Sequence, residues 1–280
     1  MDSNSFNYYI NKFKDNILFT NDRIQDLKYS NVINLGNKNL NEKVFRKTVL
    51  CMIDNDPQAL LFYLYLLYYN AIPIMLSTSL SQETIDSTIK FYKPNFIFRK
   101  SKAIQNYKKS SLNFSIGDYS LQEINKEITR TNNNLALLLP TSGSTGSPKY
   151  VRLSKINLIS NAISICKYLN LNKDEIPITT LPPSYTYGLS IIHSHIIVGA
   201  KIIVNNYTFF DKRFWNLVKE NKATSFGGVP YHYEMLDKLK FTSMDLPNLK
   251  TLTQAGGKLK KELVKKFAEY AKENRKRFFV

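Results

Sequence analysis

Thr141-Ser142-Gly143-Ser144-Thr145-Gly146-Ser147-Pro148-Lys149 sits between two apolar runs and combines hydroxyls, two glycines and a lysine. That composition suits a phosphate. Glycines let the backbone turn and present N–H groups to an anion with no Cβ in the way, hydroxyls add short donors, and Lys149 adds a mobile positive charge. The spacing is neither that of the triphosphatase P-loop nor the dinucleotide G-x-G-x-x-G. Working outward, residues 135–139 form a continuous apolar run of strand length, and residues 150–153 alternate as a half-buried strand does. The loop is therefore expected to join two strands, whereas the better-known phosphate loops lead into a helix. The next helix is expected from Ser154, a suitable N-cap, to about residue 169.

The same alternation extends in both directions. Upstream, residues 1–47 are polar and read as a helix with a short strand or two. A buried strand over 49–53 is followed by Asp54-Asn55-Asp56 and Pro57, which is N-cap chemistry with proline at the first helical position. The helix over 57–69 is apolar nearly all round, but Asn70 and Pro73 interrupt the run, so a core helix followed by a strand over 72–76 is expected in place of a membrane span. A helix over 81–92, a strand over 96–98 and a polar connection through Asn134 complete this half. Downstream, strands are expected over 178–181, 201–204, 223–226 and 249–253. They alternate with helices over 188–198, 212–221, 231–239 and 260–274. The fold class expected is α/β, with mostly parallel β-sheets flanked by helices.

Composition narrows the function. With 280 residues, 43% of them hydrophobic, a sizeable core is available. Only Cys51 and Cys166 are present, so no disulfide framework is indicated, and the start of the chain lacks the basic and apolar regions of an export signal. A cytoplasmic protein is expected. The net charge of +17 comes from 31 Lys and 8 Arg. Because Arg is the residue that reads bases and Lys mostly a solvated point charge, nucleic-acid binding is the weaker reading. The three histidines, His193, His195 and His232, have no metal-ligand spacing, so no protein-held metal is expected.

Four ordered stretches carry a family resemblance. They are 141–149 with its continuation Leu153-Ser154, Asn157-Leu158 and Asn161-Ala162; then 181–189, Leu-Pro-Pro-Ser-Tyr-Thr-Tyr-Gly-Leu; then Gly228-Val229-Pro230; then 254–259, Gln-Ala-Gly-Gly-Lys-Leu. Together they resemble the AMP-forming adenylating enzymes, the superfamily of acyl-CoA synthetases, peptide-synthetase adenylation domains and luciferases. The resemblance implies activation of a carboxylic acid with ATP, Mg²⁺ arriving with the nucleotide, and transfer of the acyl group to CoA, a carrier-protein thiol or an amine. It implies that Thr141, Ser142, Gly143, Ser144, Thr145, Gly146 and Lys149 hold phosphates, with Thr145 and Lys149 closest to the chemistry. It further implies that Ala255, Gly256 and Gly257 border adenine, and that Tyr185, Tyr187, Gly188, Val229 and Tyr231 line the acid's pocket. The family often has His or Phe where Tyr185 and Tyr187 stand.

The family's later features, a Tyr-Gly-x-Thr-Glu motif, a ribose-gripping Asp and a catalytic Lys, are not found in these residues. The expectation is an incomplete N-terminal adenylation domain over 1–280, with two α/β subdomains meeting near 135–150, the C-terminal domain absent, and no turnover by the chain alone. The alternative is a non-catalytic nucleotide-binding protein on the same sheet.

Overall fold

The computed structural model describes residues 5–103, 114–127, 131–141 and 149–280. In chain order the elements are α1 (Phe6–Lys12), β1 (Ile17–Thr20), β2 (Leu27–Lys28), α2 (Tyr29–Asn34), α3 (Lys38–Val44), β3 (Thr48–Cys51), α4 (Pro57–Tyr68), β4 (Ile72–Met75), α5 (Gln82–Tyr92), β5 (Phe96–Lys100), β6 (Phe114–Ile116), β7 (Tyr119–Glu123), β8 (Leu135–Pro140) and β9 (Tyr150–Ser154). Then follow α6 (Lys155–Leu169), α7 (Thr186–Val198), β10 (Ile202–Ile203), α8 (Lys212–Glu220), β11 (Ser225–Gly228), α9 (Pro230–Lys238), β12 (Thr251–Gln254), α10 (Lys261–Glu273) and β13 (Arg277–Phe279).

A seven-stranded sheet, ordered β6-β7-β5-β3-β4-β8-β9, is parallel through its middle and antiparallel at both edges. Strand alternation divides its core. Val49, Cys51, Phe96, Phe98, Leu137 and Leu139 face α4 and the N-terminal helices, while Leu50, Ile74, Ile97 and Leu138 face the side where Ile85 of α5 packs. The second sheet, β11-β12-β13, is wholly parallel and has its own core of Phe226, Leu252, Tyr233, Phe241 and Phe267. A third, short sheet pairs β1 with β10 and β2. The expected α/β class, with parallel sheets flanked by helices, is what the structure shows.

Local chemistry explains several boundaries. The Asp56 carboxylate accepts from the N–H groups of Gln58 and Ala59 at 3.0 and 2.9 Å, with Pro57 as the first helical residue of α4. Ser154 caps α6 by accepting from Asn157 N–H at 3.1 Å, while Asn157 reaches back to the Ser154 N–H.

Three expectations need correction. Residues 5–44 form three short helices in place of one, because Asn side chains supply local caps and the buried pairs Phe6/Ile10, Tyr29/Val32 and Leu40/Val44 have helical spacing. The polar connection after β5 contains the hairpin β6–β7, turned at Gly117 with φ +54°. Residues 178–181 form no strand: Ile178 alone makes an isolated bridge, to Ile203, beside one from Pro177 to Ser225. There the Asn205 side chain takes over the pairing, donating to the Thr179 carbonyl at 2.9 Å.

His193 on α7 is buried, pairs with the Tyr63 hydroxyl at 2.9 Å and is pushed down to about 3 by burial. Burial lowers His195 and His232 in the same direction. Below pH 6.5 the unfolded chain takes up protons that the folded chain refuses. This stability is therefore full above pH 6.5 and falls as pH drops toward 3, by about 1.4 kcal/mol per unit for one such group. Thermal midpoints between pH 7.5 and 5 should fall, and His193→Phe should flatten the slope; equal slopes for both proteins would refute the assignment.

Candidate functional site

Most of the residues expected to touch ligand fall after the carboxyl ends of strands that pair in parallel. Ligands of open α/β sheets bind there, because the connecting loops leave a crevice at that edge. At the end of β3, the Asn55 N–H donates to Asn206 Oδ1 at 3.0 Å and Asn55 Nδ2 donates to the Leu181 carbonyl at 3.0 Å. The larger sheet is thereby tied to the loop after β10 and to the approach to α7. At the end of β8, the Thr141 N–H donates to the Lys149 carbonyl at 2.9 Å, just beyond the last ladder pair, Pro140 and Tyr150. Thr141 and Lys149 are both exposed. Ser142, Gly143, Ser144, Thr145 and Gly146 lie outside the described residues. The two strands expected on either side of them are present, as an antiparallel β8–β9 pair.

Around α7 the geometry is tight. Tyr185 is the N-cap residue, and Gly188 lies in the first helical turn, where a Cβ would stand 2.5 Å from the Pro182 carbonyl oxygen and 2.9 Å from that of Leu181. The Tyr187 hydroxyl pairs with Thr253 Oγ1 at 2.6 Å. Burial pushes this phenol up to about 12 against the opposing hydrogen bond from Thr253, so it stays neutral. β11 passes close beneath it: a Cβ on Gly227 would meet the Tyr187 hydroxyl at 2.7 Å. After β12 the Gln254 amide donates to the carbonyls of Ala255 and Gly257 at 3.1 and 2.9 Å, shaping an exposed turn. Gly256 occupies it with φ +80°, and a Cβ there would lie 2.4 Å from the Tyr185 hydroxyl and 3.1 Å from Val229 Cγ1. Tyr185 and Val229, expected beside the acid, and Gly256, expected beside adenine, are thus neighbours.

Two cavities border this edge. One, of 310 Å³, lies between α6, α7 and the β11–β12 strands and is lined by Tyr187, Ile191, His195, Gly227, Thr253 and Ala255. The other, of 290 Å³, is lined by Asn55, Asn206, Phe209, Tyr231 and His232. Tyr231, 61% exposed, therefore stands on the second cavity and not with Tyr187. A larger space of 430 Å³ lies at the opposite edge, where β8 begins, beside Arg46 and Lys155; Ser154 and Leu158 line it, but none of the residues expected to touch nucleotide or acid does. Gly227, Ile191, His195 and Thr253 escaped the sequence reading. The Gly227-Gly228 pair inside a strand was the available signal, since glycine there marks a close approach. Among the described residues no three His, Cys, Asp or Glu side chains converge as a metal site, and no helix is long and apolar enough to cross a membrane.

Comparison with known proteins bears on this arrangement. The sequence profile of the family described as AMP-binding enzyme matches residues 43–277. Among curated relatives, acyl-CoA ligase sidI of Aspergillus fumigatus is 31% identical over 153 residues, covering 54% of this chain and 26% of the relative. Feruloyl-CoA synthase of Amycolatopsis sp is 25% identical over 137 residues, covering 49% and 28%. The matched region thus spans under a third of either relative's length. Among solved structures, a long-chain-fatty-acid-CoA ligase from Archaeoglobus fulgidus superposes with a TM-score of 0.79 at 16% identity, over 99% of this chain and 63% of that one. A luciferase-like enzyme from the nonluminescent Zophobas morio mealworm gives 0.74 at 18%, over 100% and 71%. At these identities the structural likeness speaks for the fold alone.

Proposed function

This chain belongs to the AMP-binding enzyme family, and from that membership we propose that it binds ATP and a carboxylic acid for AMP-forming activation of the acid. The observation that supports this most directly is the meeting of Tyr187, Gly227, Thr253 and Ala255 around a cavity at the carboxyl ends of β11 and β12. An apolar cleft with a few fixed polar groups is how proteins hold small ligands. We assign the acid to this cavity, its carboxylate toward Ala255.

The nucleotide fits beside it. Gly256 holds a positive φ in an exposed turn where a side chain would strike Tyr185, so a flat base can lie against the backbone of Ala255, Gly256 and Gly257. Thr141, Ser142, Gly143, Ser144, Thr145, Gly146 and Lys149 are assigned to the phosphates. The bond from Thr141 to Lys149, which closes the end of the β8–β9 pair, supports this assignment. ATP would supply the α-phosphorus that the carboxylate attacks, its bond to pyrophosphate breaking as the acyl-adenylate bond forms, and Mg²⁺ arriving with the nucleotide would offset phosphate charge. The protein's own share is to aim donors and the Lys149 cation at that charge, and to keep water from the acid through the walls of α7 and β11. The names of the curated relatives speak of CoA esters, which favours coenzyme A as acceptor over a carrier thiol or an amine.

Calorimetric titration with ATP, and with a panel of fatty, aromatic and amino acids, tests the reading. ATP and at least one acid class are expected to bind. Failure of ATP to bind, together with oligonucleotide binding that weakens steeply with salt, would replace this function with a nucleic-acid one.

A further inference from the structure

The cavity beside Tyr187 contains one polar mismatch. Most polar side chains that reach it are already bonded within the protein. Tyr187 pairs with Thr253, Ser190 donates to the Tyr187 carbonyl at 2.8 Å, Ser194 donates to the Ile191 carbonyl at 3.1 Å, and the Gln254 amide serves the 255–257 turn. His195 differs. Its Nδ1 lies 2.7 Å from the Ile191 carbonyl oxygen, an atom that can only accept, so Nδ1 carries the ring proton and Nε2 presents a bare lone pair. Nε2 is buried and has no hydrogen-bond partner among the described residues. Burial lowers the imidazole's pKa, so the ring stays neutral and Nε2 stays an acceptor. A buried acceptor left without a donor is costly, and native proteins rarely leave one.

Its position gives the mismatch a meaning. Tyr187, Ile191 and His195 are four residues apart in turn, so they share one face of α7, and all three line the cavity. Eight helical residues advance about 12 Å. His195 therefore stands at the far end from Tyr187 and Ala255, where the carboxylate is assigned.

We propose that the acid taken by this cavity carries a hydroxyl at the end remote from its carboxylate, and that this hydroxyl donates to His195 Nε2, making His195 a specificity-determining residue. The inference rests on the assignment of the cavity to the acid. The cavity's 310 Å³ lies at the small end of the range for ligand sites, about 300–1,000 Å³, so the acid is compact: a hydroxyaryl acid or a short ω-hydroxy acid. A polar site rejects the analogue lacking its partner far more sharply than an apolar pocket rejects a missing methylene, because the protein's own group is then left unpaired.

The test uses matched pairs on the 280-residue chain: 3-phenylpropanoate against 3-(4-hydroxyphenyl)propanoate, and octanoate against 8-hydroxyoctanoate, each titrated calorimetrically. At least one hydroxylated member should bind about 10- to 100-fold more tightly than its partner, and His195→Leu should erase that preference. Because the variant's packing changes too, a second measurement uses the unmodified protein. In long-range ¹H–¹⁵N spectra of the imidazoles, the Nε2 resonance of His195 should shift with the preferred hydroxylated acid and not with its partner. Equal affinities within both pairs, or an unmoved Nε2 at saturation, would overturn the role of His195 while leaving the acid pocket standing. No binding by any of the four acids would remove the pocket assignment, and this inference with it.

Discussion

Gly143→Val and Gly146→Val should each abolish ATP binding in a chain whose circular dichroism is unchanged, and Lys149→Ala should weaken it about tenfold or more. The asymmetry comes from what each residue supplies. A glycine in a phosphate-binding stretch lets backbone N–H groups approach the anion, and a branched Cβ there blocks every such donor at once. Lys149 contributes one charge-assisted contact, and such contacts are worth about 1.5–3 kcal/mol. Its main-chain carbonyl, which accepts from Thr141 N–H, survives the truncation to alanine, so the end of β8 keeps its shape. Isothermal titration with ATP decides the matter. Unchanged affinity in all three variants would return the stretch to an ordinary turn.

Gly188→Val should be the most damaging single change to stability in the region of the site. The added Cβ would stand 2.5 Å from the Pro182 carbonyl oxygen, and backbone at this distance cannot swing aside as a flexible side chain can. Valine regains little through helix propensity, because its branched Cβ is itself disfavoured in a helix. Forcing atoms into such a contact costs about 3 kcal/mol, which lowers the thermal midpoint by about 6–12 °C in a chain of this size. Tyr185 and Tyr187 flank the shifted turn, so nucleotide and acid binding should weaken together. A midpoint within a degree of the parent's would show that the Pro182 bend yields freely.

Long, locally determined elements were legible in the sequence. The helices α4 and α6 announce themselves through Asp56-Pro57 and Ser154-Asn157, because capping acts within one turn and needs no distant partner. The apolar run of β8 is equally plain. What escaped depends on tertiary context. The β6–β7 hairpin had its signal in Ile116-Gly117-Asp118-Tyr119, a two-residue turn between apolar neighbours, but a polar surrounding masked it. Residues 178–181 look like a strand and form none, because the Asn205 side chain occupies the Thr179 carbonyl, a pairing that no local pattern reveals. For the site, the glycines and tyrosines of the motifs could be named from sequence. His195 could not, because its importance lies in a lone pair that only the assembled cavity leaves without a donor.

The thirteen residues of α7 carry two separate jobs on two faces. Leu189, Ile192 and Ile196 belong to the core beneath the seven-stranded sheet, and His193 is held there by Tyr63 and Phe6. Tyr187, Ile191 and His195 look into the cavity instead. Helical periodicity keeps the two sets apart, so a lineage can drift at one without eroding the other. For protein engineering this is a ready partition: a library randomised at 191 and 195, with 189, 192, 193 and 196 left untouched, reshapes the cavity while the scaffold's inheritance stays intact.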